Sequence, residues 1–459
     1  MRTRLGRKPD SVDNAAMDAP SNPYESPADD GTTVTIPDRL AGDPSFWATT
    51  ATQFFGAFND NIFKQLLLLV AVNQALQGKG ETDYQGLAMV VFAAPFVLFA
   101  GPTGYLADKF SKTTIIRISK VLEIVAMAMG VAAFFWYDQL GMTGLLLVLA
   151  FMGFQSTLFA PAKYGILPEL FHGRDLPKVN GVFLMTTFLA IIFGTVLAGI
   201  LRDSLPGMLW MASLVCVAVA VIGTLTTIPI RRTSRATPNA KFTMQAIGIP
   251  KKTRQLFVQD RSILKALLAS CMFWLCAGIV QQAVNSLGKV QLELSDTETS
   301  WLGGAIGLGI GLGCMLAGVL SSGKIEFRLV QIGAWGILLC LALMALPGGN
   351  HGHLLGLWGS LPVLVLMGIF TGMFSVPIQV YLQAKAPEDQ KGQVIAEMSR
   401  ANWLAIFLSG FLYSVFDQVL IWGDLARCYL FGFTLLIMLP VALFYHPQSE
   451  TLESDKDTQ

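Results

Sequence analysis

The residues with the clearest chemical potential form an acid and base pair inside an apolar stretch. Asp60 and Lys64 stand four positions apart within residues 54–64. On a helix this spacing places both side chains on one face, where they could bind a charged or zwitterionic group or neutralise each other for packing. Asn59 and Asn61 flank the aspartate and add polar atoms to the same turn. Because packing alone does not require those amides, the segment predicts a polar binding site.

A second basic residue, Lys163, lies between a proline and a glycine in the sequence FAPAKYGILPEL. Pro161 and Gly165 predict a broken helix end, where freed backbone groups and the ammonium converge. Such an arrangement could bind an anion. The alternative is an ordinary helix end whose lysine extends its ammonium into water.

Other polar side chains stand inside apolar runs without a motif around them: Glu123, Gln281, Gln379 and Arg400. For each, contact with a substrate and a hydrogen bond between helices fit the sequence equally well. The chain has no Ser-His-Asp arrangement and no HExxH motif, and its six cysteines lack metal-type spacing. We therefore predict a binding protein and not an enzyme, with no catalytic residue, metal or cofactor.

The elements that must position these residues are long apolar helices. The chain has 459 residues, of which 53% are hydrophobic and 14% charged, and its mean hydropathy is +0.54. Soluble domains carry about 25% charged residues, so this composition argues against a water-soluble enzyme. The balance of 32 basic and 31 acidic residues argues against a nucleic-acid-binding protein. Twelve apolar runs approach the roughly 20 residues that cross a bilayer as a helix. The runs cover about 46–73, 84–106, 114–136, 144–166, 179–201, 207–229, 263–288, 299–321, 328–346, 357–384, 392–417 and 425–446.

The twelve predicted spans form two groups of six. The groups, 46–229 and 263–446, are separated by a polar linker at 230–262. This layout predicts an all-α membrane protein with two six-helix bundles, as in secondary transporters. Residues 1–45 are rich in Asp, Pro, Ser and Thr and lack the apolar core of a signal peptide, so we predict a disordered tail. A second, shorter tail is expected at 447–459.

The placement of charges predicts the orientation of these spans. Of the 32 Lys and Arg residues, 26 fall on the side that holds both termini, four fall on the other side, and Lys64 and Arg400 fall inside spans. Because basic loops stay in the cytoplasm, we expect both termini there. Asp60 lies about 14 residues into the first span, roughly 21 Å along the helix axis and near mid-membrane. A carboxylate at that depth is costly and indicates function.

The loop between the second and third predicted spans carries a pattern, GYLADKFSK, that begins at Gly104. After a short spacer come Asp108, Lys109 and Lys112. The pattern resembles the loop signature of the major facilitator superfamily and suits a conformational latch: the glycine permits close helix approach, the aspartate faces a helix N-terminus, and the lysines stay at the cytoplasmic surface. The alternative is an ordinary charged loop. The matching loop at 318–324 lacks the aspartate.

Two motifs together resemble the lysophospholipid transporter family within that superfamily. One is AFNDN followed by a lysine, at 57–64, and the other is PAKYGILPEL followed by KVNG, at 161–181. The likeness is clearest over 46–203. It extends to the membrane half of bifunctional proteins that end in a lysophospholipid acyltransferase.

The resemblance implies a flippase-like secondary transporter in a bacterial inner membrane. Its substrate would be a lysophospholipid such as lysophosphatidylethanolamine, moved to the cytoplasmic leaflet by alternating access and then re-acylated. On the matching positions, Asp60, Asn61 and Lys163 would belong to a polar site in the first bundle. Only a short tail follows Tyr445, so we expect no attached acyltransferase. The expected partners are membrane lipids, the substrate and a separate acyltransferase, with no nucleic acid.

Two other functions fit the same residues. A proton-coupled carrier of a small polar solute would use Asp60 or Glu123 as its proton site. A membrane scaffold that transports nothing would recruit an acyltransferase through the linker at 230–262 or through the N-terminal tail.

Overall fold

The computed structural model describes residues 39–77, 83–172, 175–233, 251–321, 324–349, 352–385, 391–446 and 450–451. Helices account for nearly all of them. The helices are α1 (Pro44–Gln77), α2 (Gln85–Lys109), α3 (Lys112–Phe135), α4 (Tyr137–Gly165), α5 (Leu167–Leu170), α6 (Leu176–Ser204), α7 (Leu209–Leu225), α8 (Lys251–Gln259), α9 (Arg261–Ser286), α10 (Asp296–Ser321), α11 (Phe327–Met344), α12 (Gly356–Lys385), α13 (Lys391–Trp422) and α14 (Tyr429–Phe444).

Twelve of these helices coincide with the twelve predicted spans, which confirms the all-α membrane fold. Over the described ranges, ten helices are long and apolar enough to cross a bilayer, and α7 and α14 are shorter apolar helices. The largest difference is at α4, which begins at Tyr137 and not near residue 144. Gly141 has a φ of 55°, a left-handed conformation that glycine adopts readily. A short helical turn therefore precedes this kink, and the main part of α4 follows it.

Each group of six long helices encloses its own hydrophobic core. Leu66, Met127 and Leu149 are buried in the first bundle, which contains α1–α4, α6 and α7. Phe374 and Tyr413 are buried in the second bundle, which contains α9–α14. Because lipid tails are as apolar as these side chains, it is their close van der Waals packing that favours assembly of each bundle. Two seams join the bundles, one between α6 and α10 and one between α2 and α13.

The helix connections define two ends of the molecule. The α2–α3 end also holds the start of α1 and the end of α7, and the α1–α2 end also holds the start of α10. At the α2–α3 end, Arg231 donates two hydrogen bonds to Asp43, at 2.7 and 2.8 Å, and one to the carbonyl oxygen of Leu170 at 2.7 Å. These contacts join the chain segment before α1 to the segment after α7, so that the first and last residues of the first bundle meet at this end.

Parts of the predicted tails and linker have regular structure. Leu40–Gly42 form a 3-10 turn within the predicted N-terminal tail, and α8 lies within the predicted linker. In the predicted C-terminal tail, the strand β2 (Glu450–Thr451) pairs antiparallel with β1 (Lys324–Ile325). The rest of these predicted segments, at 1–38, 234–250, 447–449 and 452–459, lies outside the described residues.

Candidate functional site

Asp60 lies midway along α1, where α4 supplies two hydrogen-bond donors. Ser156 Oγ donates to Asp60 Oδ2 at 2.8 Å. Gln155 Nε2 lies 3.5 Å from Asp60 Oδ1 and donates to Ser156 Oγ at 2.8 Å. Asp60 is half-buried, whereas Gln155 and Ser156 are buried. Because both donors are neutral, they orient the carboxylate without cancelling its charge.

Gln155 and Ser156 were not predicted from the sequence. Two adjacent polar residues in the middle of the apolar α4 are a signal of the same kind as the asparagines beside Asp60. A single sequence does not indicate which other helix such residues contact.

Lys64 is half-buried one turn further along α1, on the side of α2. Its Nζ lies 5.6 Å from the centre of the Phe92 ring, a cation–π distance. The Phe92 ring meets Trp403 of α13 edge to face, with ring centres 5.9 Å apart. In the described part of the chain, no ion pair within 4.0 Å joins Lys64 to Asp60. The spacing permits that pair, but the hydroxyl on α4 orients the carboxylate and the aromatic ring on α2 attracts the ammonium.

The two asparagines beside Asp60 point in different directions. Asn61 is half-buried and donates to the Ala57 carbonyl of its own helix at 2.7 Å. Gly194 of α6 packs on it, since a Cβ there would lie 3.0 Å from Asn61 Cβ. Asn59 is fully buried and donates to Glu123 of α3. We call Asp60, Asn61, Lys64, Gln155 and Ser156 the mid-membrane site.

Asn59, Lys120 and Glu123 form a separate group that we call the enclosed cluster. Asn59 Nδ2 lies 2.8 Å from Glu123 Oε1, and Lys120 Nζ lies 2.5 Å from Glu123 Oε2. The exposed fractions of the Lys120 and Glu123 side chains are 1% and 2%. Gly56 and Gly223 allow α1 and α7 to close over the ammonium, because a Cβ at either position would lie 3.2 or 3.0 Å from it. Glu123, predicted as a site residue, is therefore placed away from the mid-membrane site.

Lys163 lies about two helical turns from Ser156 along α4. It is half-buried and lines a small pocket with Thr49, Thr52 and Gln53 of α1. Its Nζ lies 5.0 Å from the ring centre of the exposed neighbour Tyr164. The structure thus separates Lys163 from the mid-membrane site but places it on the same pair of helices.

The predicted latch lies at the α2–α3 end and contacts the segment after Lys163. Lys112 forms an ion pair with Glu169 of α5, and its side chain crosses Gly165, where a Cβ would lie 2.9 Å from Lys112 Cε. The predicted break in α4 falls here: the helix continues past Pro161 and ends at Gly165.

The other latch residues have mixed surroundings. Lys109 donates to the hydroxyl of Tyr105 at 3.0 Å. No described atom outside its own helix turn lies within 4 Å of a Cβ built on Gly104. The side chain of Asp108 lies outside the described residues, so the latch remains a prediction.

The predicted site residues of the second bundle lie on three different helices. Gln281 on α9 and Gln379 on α12 are half-buried. Arg400 on α13 has its NH2 group 3.5 Å from Glu397 Oε1, the pair suggested by their spacing. Arg400 is three residues from Trp403, so it lies about one turn from the aromatic contact behind Lys64.

Polar contacts hold the two bundles together at the α1–α2 end. The carboxylate of Asp203, at the end of α6, accepts hydrogen bonds from the backbone N–H groups of Asp296 and Thr297 at 3.1 and 2.7 Å. It therefore caps the N-terminus of α10 across the seam. Asp296 accepts a hydrogen bond from Asn73 of α1 at 3.1 Å and forms an ion pair with Lys289 at 2.9 Å.

A chain of buried hydrogen bonds crosses between the bundles at the same end. Gln65 donates to Asn285 at 2.9 Å, and Asn285 donates to Gln85 at 2.9 Å. Gln85 and the hydroxyl of Tyr413 both donate to Asp83, at 2.8 and 2.6 Å. Burial raises the pKa of the Asp83 carboxyl, and these two hydrogen bonds oppose that shift. The α1–α2 end can open only if these hydrogen bonds break.

Further towards the α2–α3 end, each seam still has a close contact. On one seam, the Phe96 and Trp403 rings stack with centres 3.6 Å apart. On the other, a Cβ on Gly307 would lie 2.6 Å from the Ile192 side chain. One turn beyond, Gly311 has no described atom within 4 Å of its Cβ position, its own helix turn excepted. Among the described residues, the polar contacts between the bundles therefore lie on the α1–α2 side of the mid-membrane site.

Two six-helix bundles that meet along two seams, with charged side chains inside the helices, are the architecture of a secondary transporter. The Major Facilitator Superfamily profile matches residues 49–410, and the chain belongs to that superfamily.

Several relatives carry the name lysophospholipid transporter LplT. The protein from Photorhabdus laumondii is 27% identical over 380 residues, which are 81% of this chain and 88% of that protein. The protein from Enterobacter sp. (strain 638) is 29% identical over 377 residues, covering 80% and 87%. The protein from Yersinia pestis (strain Pestoides F) is 28% identical over 399 residues, covering 82% and 89%. These similarities confirm the family resemblance that the two motifs suggest.

Solved transporters share the fold. The nucleoside transporter NupG has a TM-score of 0.65 at 12% identity, over 86% of this chain and 98% of that one. A POT family transporter in complex with 5-aminolevulinic acid has a TM-score of 0.69 at 14% identity, over 87% and 95%. A bacterial homologue of the lysosomal transporter Spinster, in an inward-facing and unoccupied conformation, has a TM-score of 0.62 at 14% identity, over 88% and 95%.

Proposed function

We propose that this protein moves lysophospholipids to the cytoplasmic leaflet of a bacterial inner membrane. The observation that carries the proposal is the half-buried Asp60 carboxylate, which neutral donors orient beneath the closed end of the molecule. A carboxylate in that setting suits a substrate that brings its own cation, such as the ammonium of lysophosphatidylethanolamine. The names of the relatives support the lysophospholipid class.

The mid-membrane site offers opposite charges to the two charged groups of such a headgroup. Asp60 takes the ammonium, and Lys64, which the Phe92 ring holds nearby, takes the phosphate. Charged groups that leave water without partners are costly to bury, so these contacts lower the barrier for the headgroup. The acyl chain remains in apolar surroundings throughout and needs no such compensation.

The same proposal includes alternating access with both termini in the cytoplasm. The excess of basic residues on the side of the termini supports this orientation. In it, the α2–α3 end faces the cytoplasm, and the α1–α2 end, which the polar contacts between the bundles close, faces outwards. Outward opening would require Asp203 to release the N-terminus of α10. It would also require the buried hydrogen bond between Tyr413 and Asp83 to break.

The assignment of the α1–α2 end as the closed outer end can be tested with one reporter cysteine in a protein that lacks the six native cysteines. Ser300 is fully buried and faces Gly199 across the seam at the α1–α2 end. In the Ser300→Cys protein, the added substitution Asp203→Ala should increase labelling by a membrane-impermeant maleimide applied from outside. Labelling that stays unchanged, while Asp203→Ala protein remains folded, would contradict this assignment of the closed end.

Transport itself is tested in proteoliposomes by the transfer of fluorescent lysophosphatidylethanolamine between leaflets. The wild-type protein should transfer the lipid above the level of empty liposomes, and Asp60→Asn should abolish most of this transfer. The matched control is Asp424→Asn, since Asp424 is exposed and has a φ of 49°, which asparagine tolerates. Wild-type transfer no faster than that of empty liposomes would disprove the function.

The same preparation separates the alternatives. A proton-coupled carrier of small solutes would accumulate a polar solute only under a pH gradient, and a scaffold would transfer nothing. A transported lipid should be recovered chemically unchanged, because re-acylation would belong to a separate acyltransferase at the cytoplasmic face.

A further inference from the structure

The mid-membrane site and the Lys163 pocket are arranged on the same two helices with the same offset. Gln53 precedes Asp60 by seven residues on α1, and Lys163 follows Ser156 by seven residues on α4. Seven residues are about two helical turns, or roughly 10.5 Å. Gln53 therefore lies on the same face of α1 as Asp60, and Lys163 lies on the same face of α4 as Ser156. Because α1 and α4 run in opposite directions, both offsets point towards the α2–α3 end.

Lys163 differs from its basic neighbours at this end. Lys112 is paired with Glu169, and Arg231 is paired with Asp43. Lys163 is half-buried, and within the described ranges no carboxylate lies within 4.0 Å of its ammonium. Its ammonium lies 5.0 Å from the centre of the Tyr164 ring. A partly desolvated cation without an acidic partner suits an anion that arrives from elsewhere.

The pocket around this ammonium is preformed. Thr52 shares a hydrogen bond with Thr226 of the segment after α7, at 2.9 Å. The Gln53 amide donates to the Phe183 carbonyl of α6 at 3.1 Å and accepts from Thr187 at 2.9 Å. The walls are therefore held by three elements other than α4. The pocket itself has room for about one water molecule, so a phosphate would contact the ammonium at the mouth of the pocket.

One headgroup cannot occupy both places at once. In phosphoethanolamine only two carbon atoms separate the ester oxygen from the ammonium nitrogen, whereas the site and the pocket lie about two helical turns apart. The two places must therefore be used one after the other. Asp60 is the deeper of the two, and Lys163 is nearer to the α2–α3 end.

We propose that the Lys163 pocket is a second binding station, which takes the phosphate of the lysophospholipid after the headgroup leaves Asp60. This inference rests on the proposed function. It assigns the ammonium to Asp60 and the later phosphate contact to Lys163, so the two residues should affect different steps and different lipids.

The test compares two fluorescent lipids in the variants Lys163→Ala, Lys163→Arg and Asp60→Asn. Lysophosphatidylethanolamine carries both charges, and lysophosphatidylglycerol carries the phosphate without an ammonium. Lys163→Ala should slow the transfer of both lipids by about tenfold, the loss of one charge-assisted contact. It should leave equilibrium binding of lysophosphatidylethanolamine in detergent within about twofold of wild type, because Asp60 still captures the ammonium. Lys163→Arg should restore transfer.

Asp60→Asn should show the opposite pattern. It should weaken binding of lysophosphatidylethanolamine and affect lysophosphatidylglycerol much less. The matched control for loss of a lysine at the same end is Lys265→Ala, because this side chain is exposed near the start of α9. If Lys163→Ala does not fold, as judged by its thermal unfolding, Lys163→Gln replaces it with the same readouts.

The outcomes separate the two claims. Wild-type transfer by a folded Lys163→Ala protein would overturn the second station and leave the proposed function standing. Loss of lysophosphatidylethanolamine binding as large as in Asp60→Asn would also overturn it, because both residues would then serve one site. Absence of transfer by the wild-type protein would instead disprove the function.

Discussion

Asn59 and Asp60 are neighbours on α1, yet they belong to environments with opposite properties. Asn59 joins the enclosed cluster, in which Lys120 and Glu123 neutralise each other at exposed fractions of 1% and 2%. Asp60 is half-buried and held by the neutral groups of α4. In the first arrangement the ammonium and the carboxylate neutralise each other. In the second, the carboxylate has neutral hydrogen-bond partners and keeps its charge. If the proposed function is right, a charged residue inside this protein indicates a site only when no opposite charge is paired with it.

The largest expected effect comes from breaking the enclosed cluster. Glu123→Leu would leave the Lys120 ammonium buried without its carboxylate, which costs about 3–5 kcal/mol in comparable pairs. We expect a strongly lowered thermal unfolding temperature in detergent. The double variant Lys120→Met, Glu123→Leu should recover much of the loss, since it removes both buried charges. A Glu123→Leu protein that unfolds like wild type would contradict the structural role of the cluster.

The mid-membrane site should respond in the reverse way. Asp60→Asn keeps the size of the side chain but removes the charge, so we expect lysophosphatidylethanolamine transfer to fall by about tenfold to a hundredfold, the range of a charge-assisted contact. The thermal unfolding temperature should stay close to that of wild type, because the hydrogen-bond partners of the carboxylate, Ser156 and Gln155, are neutral and asparagine can still accept from them. Parallel losses of stability and transfer would remove the distinction between the two environments.

A smaller effect is expected from the groups that orient Asp60. Ser156→Ala removes the donor at 2.8 Å, and loss of one hydrogen bond of about 1 kcal/mol should slow transfer by about fivefold. The control is Thr157→Val, because the Thr157 hydroxyl donates to the Gly153 carbonyl of its own helix. Equal transfer in the two variants would mean that Ser156 does not position the carboxylate.

The smallest effect should follow from the aromatic contact of Lys64. Phe92→Leu keeps an apolar side chain but removes a cation–π interaction of about 0.5–1 kcal/mol, so transfer should fall by about twofold to fivefold. The loss should be similar for lipids with and without an ammonium, because Lys64 is assigned to the phosphate. A loss confined to ammonium-bearing lipids would reassign Phe92 to the Asp60 side of the site.

The helices were predictable from the sequence because each must present about 20 apolar residues to the bilayer, whatever its neighbours are. The predicted start of α4 was wrong, because the helix begins before a kink at Gly141. That kink depends on the backbone freedom of glycine, which hydropathy does not measure. Asp60, Asn61 and Lys64 were recognisable as unusual because polar groups in an apolar run are costly wherever the run packs. Their roles were less accessible, since spacing along one helix identifies neighbours on that helix only.

The sequence alone therefore established the class of protein: twelve apolar segments in two groups of six, with a few charged residues inside them. It did not separate Glu123 from Asp60, because both are carboxylates in apolar helices and their difference lies in partners on α1 and α4. It could not foresee the two-turn separation of Lys163 from the site. Hydropathy is a local property of consecutive residues, whereas compensation of a charge depends on side chains that only the packing of distant helices brings within hydrogen-bond distance.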